Sequence, residues 1–128
     1  MRKTYNVNEI FFSLQGEGRN TGRCAVFIRF SGCNLKCSFC DTDFKSYREM
    51  TVDDIISAIS KWKKAGFVVL TGGEPTLQVD DTLIDALHAS GFYVAMESNG
   101  TRVPPQNLDW LTVSPKGSVV VTKCNELK

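Results

Sequence analysis

The chain has 128 residues, the length of one domain with a moderate buried core. Its 42% hydrophobic and 23% charged content is that of a soluble globular protein, and its net charge of +1 is spread without a basic stripe or acidic block, which speaks against a nucleic-acid partner. No apolar run approaches the ~20 residues that span a bilayer, and the polar start Met1-Arg2-Lys3-Thr4-Tyr5-Asn6 has no apolar leader, so we expect a cytoplasmic protein with no membrane partner, whose thiols stay reduced.

Residues 8–14 are rich in β-formers and read as a strand running into the glycine-punctuated turn Gln15-Gly16-Glu17-Gly18. Two glycines around a carboxylate let backbone approach a ligand, although a plain hairpin loop is the simpler account. Asn20-Thr21-Gly22 is a second turn, and Cys24 after it is expected to be a small buried apolar residue. Residues 25–30 form a strong strand with Val26, Ile28 and Phe30 on one face and Ala25, Phe27 and Arg29 on the other. Arg29 is either an edge-strand charge reaching solvent or a fork donor aimed into a pocket for a carboxylate.

That strand ends at Ser31-Gly32 and delivers the chain to Cys33, Cys37 and Cys40, spaced C-x3-C-x2-C. Four-iron clusters generally take four thiolates, so three in one loop leave an iron open to another ligand. Zinc sites usually pair C-x2-C with a second such pair or with histidines, whereas this chain has one histidine, His88, and only Cys124 as a later cysteine. Disulfide frameworks suit secreted chains with even cysteine counts, and this chain has five.

Thr51 and Asp54 have the form of a capping box for a helix reaching about Ala65, with Val52, Ile55, Ile56, Ile59 and Trp62 as its apolar stripe and Gly66 as its cap. Residues 67–71 read as a strand opening into Gly72-Gly73-Glu74-Pro75-Thr76. A helix over 80–90, with Leu83, Ala86 and Leu87 inward, leads to a strand over 92–96 and the polar loop Glu97-Ser98-Asn99-Gly100. His88 on that helix is expected to be solvated. Pro104-Pro105 breaks the chain, and residues 111–114 and 119–121 read as further strands. Alternating helices and strands imply a parallel α/β sheet with every unusual loop at one rim, where such folds bind ligands.

The cysteine loop together with Thr71-Gly72-Gly73-Glu74-Pro75 resembles the radical S-adenosylmethionine superfamily. The resemblance implies an α/β fold, a partial open (β/α) barrel of the radical SAM type, shortened at the C-terminus. It comprises one domain over 1–128, with an N-terminal extension over 1–24 and a core over 25–122. It also implies that Cys33, Cys37 and Cys40 hold a 4Fe-4S cluster, whose open iron is chelated by S-adenosylmethionine.

Phe12-Ser13-Leu14-Gln15-Gly16-Glu17-Gly18, Cys40-Asp41-Thr42 and Ser114-Pro115-Lys116 are similar to segments of the 7-carboxy-7-deazaguanine synthases. That family converts 6-carboxy-5,6,7,8-tetrahydropterin into 7-carboxy-7-deazaguanine with loss of ammonia. By this resemblance Phe39, Cys40, Asp41, Gly72, Gly73, Glu74, Ser114 and Lys116 contact S-adenosylmethionine. Leu14, Gln15, Gly16, Arg29 and Thr71 contact the pterin, and Thr42 binds Mg2+. No side chain is expected to be catalytic in its own right, since the radical comes from the cofactor. A flavodoxin or ferredoxin is the expected electron donor, and a homodimer the expected assembly. The alternatives are an activase that makes a glycyl radical on a partner protein, which shares the cysteine and Gly-Gly-Glu motifs, and an inactive fragment that keeps only the cluster.

Overall fold

In a computed structural model, which describes residues 3–14, 22–31, 47–100, 102–114 and 124–127, the alternation of strand and helix builds one mixed sheet. Among the described residues its strands are β1 (Tyr5–Leu14), β2 (Cys24–Phe30), β3 (Arg48–Met50), β4 (Phe67–Gly72), β5 (Tyr93–Ser98), β6 (Trp110–Val113) and β7 (Glu126–Leu127). Their order is β3-β1-β2-β4-β5-β6-β7. β1 runs antiparallel to β2 and β3, while β2, β4, β5, β6 and β7 pair in parallel as an open α/β arrangement requires.

Strand alternation divides the core. Val26, Ile28, Phe30, Val68, Leu70, Val94 and Met96 face helices α1 (Val52–Ile59) and α2 (Asp81–Ala89), where Ile55, Ile59, Leu83, Ile84 and Leu87 are fully buried. Ala25, Phe27, Phe67, Val69 and Ala95 form a second cluster on the other face, which the described helices leave uncovered. The central strands β2, β4 and β5 are therefore apolar on both faces.

The helices start where side-chain chemistry supplies a cap. Thr51 Oγ1 accepts from the Asp54 amide at 3.1 Å and Asp54 returns the bond to the Thr51 amide at 3.0 Å, completing the expected capping box. Asp80 caps α2 through the Leu83 amide. Burial alone would raise the Asp80 carboxyl, but hydrogen bonds from Lys3, Tyr5 and the Leu83 amide outweigh it and hold it below the usual carboxylate range.

Three expectations need correction. The first helix is α-helical only to Ile59 and continues as a tighter 3-10 segment, Ser60–Ala65. There Ser60 Oγ bonds back to the Ser57 carbonyl, and Trp62 leaves helical dihedrals as its ring stacks on Phe12. Cys24 is exposed rather than buried, because β2 starts with it at the sheet's margin. His88 is not simply solvated: its Nε2 lies 2.7 Å from Asp109. Tyr5, Asn6 and Val7 extend β1 beyond the expected start at Asn8, and β3 and β7 join the edges by backbone pairing that no alternation pattern announces. Residues 119–121 lie outside the described residues.

Candidate active site at the strand ends

β2, β4, β5 and β6 end side by side. Register pairs Arg29 with Thr71 and Phe30 with Gly72 across β2 and β4. It pairs Glu97 with Thr112 and Ser98 with Val113 across β5 and β6. Thr71 Oγ1 donates to Glu97 Oε1 at 3.2 Å across the intervening pair. Arg29, Thr71, Glu97 and Thr112 thus form one transverse row on the open face, above the apolar floor of Phe27, Val69 and Ala95. A cation, a hydroxyl and a carboxylate in a line can hold a flat ligand by its polar edge, while Thr112 at the end of the row is 4% exposed and accepts from Trp110 Nε1 at 3.2 Å.

Arg29 lies on a central strand, which removes the edge-strand account of its charge. Its guanidinium donates to Glu9 Oε1 at 3.2 Å and stands 5.4 Å from the Phe11 ring centre. Both partners are well exposed, with side-chain accessibilities of 38% and 53%, so this pair contributes at most ~1 kcal/mol and can give way to a ligand carboxylate.

Beyond the row, β4 turns sharply. Gly72 has φ +137°, and a Cβ there would stand 2.3 Å from the Phe30 carbonyl oxygen and 2.5 Å from its nitrogen, so no other residue fits. The Gly73 amide donates to that same Phe30 oxygen at 3.1 Å. Glu74 then swings inward to 1% exposure. Its Oε2 accepts from Ser98 Oγ at 2.7 Å and from the Thr76 amide and hydroxyl, while Oε1 accepts from the Asn99 amide at 2.7 Å. A buried carboxylate is tolerable only when so satisfied. Glu74 therefore ties the loop after β4 to the loop after β5.

Ser98 extends the tie. Its hydroxyl also accepts from the Gly100 amide at 3.1 Å, and its carbonyl accepts from the Ser114 amide at 2.8 Å. Glu74 and Ser114, two residues singled out from separate motifs, meet on one serine that the sequence reading did not select. Glu97 was missed as well. The polar run Glu97-Ser98-Asn99-Gly100, expected as a loop, is the visible signal for both; its first two residues finish β5, and parity along the strand puts Glu97 on the open face and Ser98 on the other.

The structure thus brings together Arg29, Thr71, Gly72, Gly73, Glu74 and Ser114 at one rim. Leu14 is not among them: it pairs with Cys24 at the start of β2, 59% exposed, at the far end from Arg29. Gln15, Gly16, Cys33, Cys37, Phe39, Cys40, Asp41, Thr42 and Lys116 lie outside the described residues.

A parallel half-barrel with a glycine-glycine-glutamate turn at its strand ends is the frame of a radical S-adenosylmethionine domain, and the model of the radical SAM superfamily matches residues 27–115. The chain is 58% identical over 130 residues to the 7-carboxy-7-deazaguanine synthase of Bacteroides thetaiotaomicron, covering 100% of this chain and 69% of that protein. It is 48% identical to the synthase of Burkholderia multivorans, covering 98% of this chain and 70% of that protein. The crystal structure of QueE from Escherichia coli superposes with a TM-score of 0.80 at 33% identity, covering 91% of this chain and 62% of that chain. The chain belongs to the 7-carboxy-7-deazaguanine synthase family of radical SAM enzymes. The family implies a 4Fe-4S cluster, S-adenosylmethionine and Mg2+.

The residues in view fit such a group. Gly72 lets the turn pack against the Phe30 backbone, and the Glu74 tie leaves a preorganised pair of loops at the rim.

Proposed function

We propose that this chain carries out the synthase reaction, converting 6-carboxy-5,6,7,8-tetrahydropterin into 7-carboxy-7-deazaguanine with loss of ammonia. The observation that carries the proposal is the row Arg29, Thr71, Glu97 and Thr112, set at one level beside the Gly72 turn.

Arg29 exchanges Glu9 for the substrate carboxylate, which its planar fork suits. Thr71 and Glu97 meet the hydrogen-bonding edge of the pterin ring, and the Phe27–Val69 floor takes its apolar face. Leu14, Gln15 and Gly16 are assigned to the substrate by family resemblance alone. Cys33, Cys37 and Cys40 hold the cluster and Thr42 the magnesium; Phe39, Cys40, Asp41, Gly72, Gly73, Ser114 and Lys116 line the S-adenosylmethionine site. Glu74 belongs to that site through the loops it fixes, since its carboxylate already accepts from Thr76, Ser98 and Asn99. When bound, these groups supply the one-electron chemistry that starts the ring contraction, with the metal offsetting carboxylate charge. The protein's share is to orient the pterin and keep water out.

We read the chain as a single domain over 1–128 acting in the cytoplasm, supplied with electrons by a flavodoxin or ferredoxin. Among the described residues no helix is long and apolar enough to cross a membrane. Exposed Phe12 and Leu14 on β1, at 43% and 59%, offer apolar surface for a second copy in a homodimer.

The test is anaerobic reconstitution with iron and sulfide, then incubation with S-adenosylmethionine, reductant, magnesium and the carboxytetrahydropterin, read by mass spectrometry. Both 5′-deoxyadenosine and the deazapurine are expected. Arg29→Ala should lower kcat/KM by roughly two orders of magnitude, the loss of a charge-assisted pair, while leaving stability within ~1 kcal/mol. A reconstituted protein that makes 5′-deoxyadenosine but no deazapurine would remove the pterin from this reading.

A further inference from the structure

The turn that carries Glu74 ends on a residue assigned no role so far. Gln78 follows the 3-10 segment Pro75–Leu77, with its own amide bonded to the Pro75 carbonyl at 3.0 Å and its carbonyl accepting from Lys3 Nζ at 3.0 Å. Its side chain turns toward the sheet. The carboxamide oxygen accepts from the Asn6 amide at 2.6 Å; the nitrogen donates to the Ser31 carbonyl at 2.7 Å and reaches the Asn6 carbonyl at 3.4 Å. The Ser31 amide donates to the same Asn6 carbonyl at 2.9 Å. The register between β1 and β2 shifts between Val7 and Glu9, so the ladder is irregular just where it nears Ser31. One carboxamide there stands in for a peptide group, with one donor and one acceptor aimed at two different strands.

Ser31 is 5% exposed, and its carbonyl is held by this side chain. Two residues later comes Cys33. The other end of the same turn grips β2 as well, through Gly73 to Phe30.

We propose that Gln78 is a positioning residue for the cofactor site: it locks the end of β2 at Ser31, two residues before Cys33, to the turn bearing Gly72, Gly73 and Glu74. The inference rests on the reading that Cys33, Cys37 and Cys40 hold the cluster, but it concerns a residue outside the ligands and outside the substrate row. It requires a carboxamide. A carboxylate at this position would oppose the Ser31 carbonyl with no proton to donate, and an apolar side chain of the same length would remove both bonds.

Two variants test it, Gln78→Glu and Gln78→Met, each compared with Asp109→Asn, which removes a charged acceptor from the opposite end of the sheet. In the metal-free protein, amide exchange at Asn6 should rise in Gln78→Met, which removes its acceptor, and stay unchanged in Asp109→Asn. In the reconstituted protein, iron loss to a chelator should run roughly 10–100-fold faster in both Gln78 variants, the usual consequence of removing an outer support of a metal site. Asp109→Asn should lose iron at the wild-type rate even where its melting temperature falls as far. Wild-type iron retention in either folded Gln78 variant overturns the inference, as does equal iron loss in Asp109→Asn, which would make the effect one of general stability. A wild-type chain that takes up no four-iron cluster overturns the underlying cluster reading instead.

Discussion

The two ends of the parallel strands are built by different rules. At the starting ends, side chains stack and cover. The Arg23 guanidinium lies 4.3 Å from the Phe67 ring centre and 5.2 Å from that of Tyr93, and those two rings meet edge to face at 5.4 Å. Asp109 beside them accepts from the Val94 amide and from His88, both at 2.7 Å, closing the α2–β5 corner. At the finishing ends, backbone comes close at Gly72, a carboxylate is buried with protein donors around it, and a carboxamide replaces a peptide group. Apart from the Asp109 corner, one end is stabilised by stacked contact area, which tolerates exchange of similar shapes. The other is stabilised by directional bonds, which do not. Directional construction belongs where reacting partners must be held in register.

That contrast can be broken by substitution. The largest effect is expected for Gly72→Ala, whose Cβ would strike Phe30 backbone at a φ that alanine resists. It should cost ~3 kcal/mol or more in urea unfolding, from backbone strain and overpacking together. Next comes Glu74→Gln, which replaces a charged acceptor of several bonds by a group that must also donate. Roughly 2–3 kcal/mol should be lost, with a parallel loss of S-adenosylmethionine affinity by calorimetry. If Ser98→Ala weakens that affinity too and the double variant adds little, the two act as one tie. Additive losses would separate them. The smallest effect is expected at the starting ends: Arg23→Met removes a surface cation–π contact worth ~0.5–1 kcal/mol, and should leave affinity at the rim unchanged. A loss of affinity there would show that the two ends are coupled.

Much of this design is legible in the chain. The 2-residue alternation of Ala25 to Phe30 announced two buried faces and put Arg29 on the open one. Thr51 and Asp54 announced the helix start because a capping box is local chemistry. Gly66 closes the first helical segment with φ 66°, as its position after the apolar stripe implied. Local signals failed where distant partners decided. The tightening at Trp62 accompanies its stack on Phe12, and His88 took Asp109, 21 residues away, as its partner. Gln78 reads as an ordinary turn residue until Asn6 and Ser31 arrive beside it, 72 and 47 residues distant.

By itself, then, the sequence determined the α/β alternation, the capped helices, the glycine-glutamate turn and the membership in a radical SAM family, because periodicity, capping and motif spacing act over a few residues. Only the tertiary structure decided that Glu74, Ser98 and Ser114 share one hydrogen-bonded node, that Glu97 joins Arg29 and Thr71 in a single row, and that Gln78 ties the end of β2 to the turn after β4. The physical reason is that a buried polar group must find its partners wherever the fold brings donors and acceptors within ~3 Å, and that proximity is set by strand register rather than by neighbouring residues.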